Sequence, residues 1–141
     1  MTARLILCER TGRWAAALRI ELAAAELRVW EAGPLEEPRR LLAQWPASFL
    51  VAELTEKSGA HLIRQLGQID RFWPQTRVAV VADRKLAGWE WLMREAGAVH
   101  FVTSPRELSP LVDLACRHLA AAPAPPQSFT ERIWAGLPWK G

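Results

Sequence analysis

Short apolar runs alternate five times with segments whose apolar residues recur every three or four positions, and few folds accommodate that rhythm. Leu5–Cys8 is a continuous apolar run and reads as a buried strand, β1. Trp14, Leu18, Leu22 and Ala25 follow at helical spacing in an alanine-rich segment, α1. Residues 27–32 read as a second, less buried strand, β2, ended by Gly33-Pro34. Leu41, Leu42 and Trp45 mark a short helix, α2, closed by Pro46. Residues 49–52 form β3. Leu62, Leu66, Ile69 and Trp73 line α3, which stops before Pro74. Residues 78–82 are the clearest buried strand, β4. Leu86, Trp89, Leu92 and Ala96 line α4, with Gly97 as its stop. Residues 99–102 form β5, and Leu108, Leu111, Ala115 and Leu119 line α5.

Strands that read as unbroken apolar runs, separated by amphipathic helices, imply a parallel sheet covered on both faces. Right-handed crossovers restrict the topology. The expected fold is therefore a single (βα)5 doubly wound, flavodoxin-like domain over residues 1–122 with strand order 2-1-3-4-5. That order places a ligand crevice at the carboxyl ends of β1 and β3. After Ala122 the character changes. Pro123, Pro125 and Pro126 make a stiff extended linker, and an apolar tail with Ile133, Trp134, Leu137 and Trp139 follows, so 123–141 is set apart as linker and tail.

Composition narrows the functional classes. Half of the 141 residues are hydrophobic and 23% are charged, a globular balance. No apolar run approaches the ~20 residues of a membrane span, and Arg4 interrupts a run too short for a signal peptide, so a cytoplasmic location is expected. The net charge is only +3. The arginines are scattered among glutamates rather than clustered, which argues against a nucleic-acid arm. Arg13, Arg19, Arg39, Arg40 and Arg64 are expected on solvated helix faces. Cys8 and Cys116 sit in apolar contexts without CxxC or Cys/His neighbours and read as structural thiols. His61, His100 and His118 show no ligand spacing, so no metal is expected. No GxGxxG, P-loop, H-E-x-x-H, triad or paired-carboxylate pattern occurs, and no cofactor is expected.

In this fold function concentrates on loops at the carboxyl edge of the sheet. Those loops carry Glu9, Arg10, Thr11 and Gly12 after β1, and Glu53 to Glu56 after β3. Ala82, Asp83 and Arg84 follow β4, and Thr103, Ser104 and Pro105 follow β5. The stretch Glu95-Ala96-Gly97-Ala98-Val99-His100-Phe101-Val102-Thr103-Ser104-Pro105 resembles the "EAGA…(Y/F)LxKP" stretch of the receiver domains of response regulators. With the five βα units, the resemblance covers all but the tail.

Carried over residue by residue, the resemblance implies a phosphate-accepting pocket that has lost its working groups. The phosphoacceptor aspartate falls on Glu53, and the two metal-holding acids fall on Glu9 and Arg10. The hydroxyl at the end of β4 falls on Ala82, the lysine before the proline on Ser104, and the proline is kept as Pro105. The switch aromatic falls on Phe101. Phosphoryl transfer needs an in-line carboxylate, a metal and fixed positive charge. Glu53 is one methylene too long, Arg10 brings a cation to a metal ligand's place, and Ser104 and Ala82 lack the gripping and sensing groups. Two readings stand for Glu9, Arg10 and Glu53. In one, Arg10 replaces the metal and pairs with Glu53, locking the switch. In the other they form an ordinary ion pair at a vestigial site, contributing little if exposed.

Eight tryptophans and no tyrosine point to packing and interfaces. Trp14, Trp73 and Trp89 fall at helical core positions. Trp91 falls on the face opposite Trp89 and reads either as a partner anchor or as half-buried under a loop. By the resemblance, it lies near the α4-β5-α5 face that receivers use for dimerisation and output. The tail tryptophans Trp134 and Trp139, with Leu137, read either as a tethered docking motif or as a cover for the domain's own surface. The leading expectation is a non-catalytic protein-interaction module, binding a protein or a second copy of itself through that face or the tail. The alternative is a flavodoxin-like small-ligand or nucleotide-binding domain.

Overall fold

The computed structural model describes residues 3–32 and 38–122. The tail candidates Trp134, Leu137 and Trp139 lie outside the described residues, as does the boundary at 123.

Five parallel strands form one sheet in the order β2-β1-β3-β4-β5, the topology the sequence predicts. The strands are β1 Leu5–Cys8, β2 Val29–Ala32, β3 Phe49–Leu54, β4 Arg77–Ala82 and β5 His100–Val102. The helices are α1 Arg13–Ala23, α2 Pro38–Gln44, α3 Gly59–Phe72, α4 Glu90–Ala96 and α5 Ser109–Ala121. Two 3-10 turns, Arg84–Trp89 and Pro105–Glu107, lead into α4 and α5.

Strand alternation divides the core in two. Leu50, Ala52 and Leu54 of β3 pack with Leu42 of α2, Leu62 and Leu66 of α3 and Met93 of α4. Phe49 and Val51 point the other way, onto Trp14 and Leu18 of α1 and Leu111 and Ala115 of α5. The buried polar groups at the amino edge are satisfied. Ser48 Oγ accepts from the Arg4 amide at 3.0 Å, and Thr76 Oγ1 donates to the Pro46 carbonyl at 2.7 Å.

Several local expectations are corrected. α1 ends at Ala23, leaving Ala25 exposed beyond it. Trp73 follows α3 as its C-cap, half-buried, and the cysteines Cys8 and Cys116 are partly exposed. In the α4 region Leu92 is 49% exposed, whereas Met93 is fully buried. Leu92 and Met93 flank the line below Trp89 at about 60° on one side and about 40° on the other, at 100° per residue. The nearer residue takes the core, and the flexible methionine fills it. Gly97 closes α4 with φ 126, as expected of a glycine stop. Arg13, Arg19, Arg39, Arg40 and Arg64 are all exposed.

Candidate functional site

The register brings the loops together. Cys8 pairs with Ala52 and Leu54 with Ala82, so the ends of β1, β3 and β4 share one edge. Glu53 stands one position beyond the last β1 pair, with the parity of Phe49 and Val51, and so faces the loop that leads into α1.

That loop holds the Glu53 side chain from both sides. The Arg10 amide donates to Oε1 at 2.9 Å and the Thr11 hydroxyl donates to Oε2 at 3.0 Å. The ion pair expected between Arg10 and Glu53 is replaced by a backbone hydrogen bond. Arg10 meets Glu53 through its backbone, and its exposed guanidinium forms no ion pair among the described residues. A fixed amide lies at the turn where the chain leaves β1, whereas a guanidinium there would surrender solvent and rotamer freedom.

Glu9 serves the start of α1. Its Oε2 accepts from the Trp14 amide at 2.9 Å and its Oε1 from the Ala15 amide at 2.8 Å. Both amides belong to the first turn of α1, where no intrahelical acceptor exists, and Gly12 at the N-cap offers no side chain. The carboxylate completes the helix terminus and complements its dipole.

The remaining loops are tied across the top. Arg13 pairs with Asp83 at 3.4 Å, and Lys85 pairs with Glu56 at 2.7 Å. Asp83 Oδ1 also accepts from the Lys85 amide at 3.1 Å. That amide bond, reinforced by the charges of Lys85 and Arg13, holds the Asp83 carboxyl below its ordinary range, while bonding to Glu56 raises Lys85. Each pair of the β1, β3 and β4 loops is thus bridged. The sequence placed Glu56 and Asp83 on the loops and Arg13 on a solvated helix face, without pairing any of them. The one local signal was Asp83 two residues before Lys85, a side-chain cap for a tight turn.

The other candidate positions fall as follows. Ala82 is buried, and Phe101 is only 7% exposed within the core under α3 and α4. Ser104 Oγ accepts from the Arg106 amide at 3.3 Å and caps a 3-10 turn begun by Pro105. Trp91 is 71% exposed on α4. Among the described residues, no group of three or more His, Cys, Asp or Glu side chains could hold a metal. No described helix is long and apolar enough to cross a membrane.

A cavity of about 150 Å³ opens beside this edge, between β3 and α3, and reaches Glu9, Arg10 and Glu53 at its rim.

Comparison with solved structures decides the fold class. A CheY-like protein, TadZ, from Pseudomonas aeruginosa matches with a TM-score of 0.64 at 21% identity, over 87% of this chain and 98% of that one. The chain has a receiver-like fold. A response regulator protein from Burkholderia multivorans matches with a TM-score of 0.55 at 24% identity, over 88% of this chain and 99% of the other. No family model matches the sequence, and no curated protein matches it.

Proposed function

We propose that this chain is a non-catalytic signalling module of receiver type that binds a protein partner and takes no phosphate at Glu53. The observation that carries the reading is the capture of Glu53, whose two oxygens accept from Arg10 and Thr11. A phosphoacceptor needs an oxygen presented in line to the donor beside a metal. Here the neighbouring Glu9 caps α1, and Ala82 and Ser104 supply neither sensing hydroxyl nor gripping ammonium. Incubation with a small phosphodonor and Mg²⁺, read by intact mass, tests it. The expected result is no change; a Mg²⁺-dependent gain of one phosphoryl group overturns it.

The partner surface in this reading is the α4-β5-α5 face. The reading is supported by Trp91 and Leu92 of α4, which are 71% and 49% exposed. An exposed tryptophan beside an aliphatic neighbour is the kind of anchor that dominates interfaces. The tail residues Trp134, Leu137 and Trp139 are the second candidate. Capture of partners by the full chain, by Trp91→Ser and by a chain ending at 122 separates the two, and size-exclusion with light scattering reports a homodimer.

One observation favours the second reading, a small-ligand domain. The cavity reaches, by its rim at Glu9, Arg10 and Glu53, the carboxyl ends of β1 and β3, where the strand order reverses. Its 150 Å³ is below the roughly 300–1,000 Å³ of sites for drug-sized ligands, which argues against a flavin or nucleotide.

A further inference from the structure

The cavity has a shape and a polarity that together specify a ligand. On one side it is lined by Ser58, His61, Leu62, Gln65, Leu66 and Ile69, a single stripe of α3. At 1.5 Å per residue, that stripe is about 16 Å long. The opposite wall runs along β3 from Leu50 to Thr55, again about 16 Å at 3.3 Å per residue. A volume that, if compact, holds a benzene ring is here drawn out into a slot, which suits a chain better than a ring.

The two ends of the slot differ. Leu50, Leu66, Ile69 and Val78 close the amino end with apolar surface, while Arg10, Thr55, Ser58 and His61 stand at the carboxyl end. The rim's carboxylates are already engaged, because all four oxygens of Glu9 and Glu53 receive hydrogen bonds. Among the described residues, its uncommitted groups are the Arg10 guanidinium, the His61 imidazole, the Gln65 carboxamide and the Thr55 hydroxyl. All four can donate, and the guanidinium carries a fixed positive charge. The first turn of α3 lies at the same end, with its dipole favouring negative charge and no acidic side chain to use it.

We propose that the slot binds an unbranched aliphatic carboxylate of about six to eight carbons, a size set by the cavity volume, with its chain along α3 and its head at Arg10, His61 and Gln65. The proposal goes beyond the phosphate reading and depends on none of its residues' failure to accept phosphate, so either can fail alone.

The test uses the full chain, titrated with octanoate, octan-1-ol and octylamine while methyl resonances are followed by NMR. Octanoate is expected to shift the methyls of Leu50, Leu62, Leu66 and Ile69 saturably and to bind most tightly of the three. Gln65→Leu and Arg10→Gln are each expected to weaken octanoate by about tenfold and octanol hardly at all, the signature of a lost charge-assisted hydrogen bond. Leu66→Phe, shown folded by its own dispersed spectrum, is expected to abolish the shifts. Absence of saturable shifts, equal binding of octanol, tighter binding of octylamine, or unchanged shifts in folded Leu66→Phe each overturns the proposal.

Discussion

The outer edge of the Trp89 indole comes so close to Gly59 that a β-carbon at position 59 would meet three ring atoms at 3.0 Å or less. This contact seats the turn after β4 on the first residue of α3. The Lys85–Glu56 bridge ties the same two segments. Glycine is needed here for approach rather than for backbone freedom.

Gly59→Ala is therefore expected to destabilise by about 1–3 kcal/mol despite alanine's better helix propensity, because the ring must move. In a Trp89→Ala background, the same substitution is expected to become neutral or stabilising. A double-mutant cycle by urea unfolding measures the coupling.

Glu9→Ala is expected to cost about 1–2 kcal/mol, since the Trp14 and Ala15 amides lose their acceptors at the start of α1. Glu9→Gln keeps one oxygen and is expected to lose less. Denaturant unfolding of both variants checks the order, and equal losses would point to a role other than capping.

The half-buried His100 is held below its ordinary value of 6.5, first by burial and then by the charge of Arg94. A depressed histidine favours the folded state when neutral. Its contribution is present above pH 6.5 and is lost as pH falls through the lower folded value. Asp83, also depressed, contributes above its ordinary 3.8 and loses that contribution only in stronger acid. Stability measured from pH 7 to 4 is expected to decline in wild type more than in His100→Gln, whereas Asp83→Asn alters the profile only below about pH 4.

Met93→Ala is expected to cost about 2–5 kcal/mol and Leu92→Ala about 0.5 kcal/mol or less, since only Met93 is enclosed. Thermal unfolding of the two single variants tests the orientation of α4. The opposite ranking would rotate the helix by about 100° and bring Leu92 into the core in place of Met93.

How far the site was legible depends on the kind of interaction. Glu53, Glu9 and Arg10 could be placed at one edge because strand order and strand ends follow from local pattern. Which atom of Arg10 would meet Glu53 could not be read, because sequence assigns a charge to the side chain and none to the amide that sits nearer. Glu9 looked like half of a metal site, yet α1 begins with glycine at its N-cap and exposes amides that a nearby carboxylate satisfies.

The sequence by itself determined the five βα units, the parallel sheet and its order, and the two-faced core. Apolar periodicity is a local property, and burial acts on it directly. Only the tertiary structure decided the destinations of the Glu9 and Glu53 carboxylates, the choice of Met93 over Leu92, the seat of Trp89 on Gly59 and the slot along α3. These depend on distances between groups far apart in the chain, 43 residues for Arg10 and Glu53, and such distances exist only once the layers have packed.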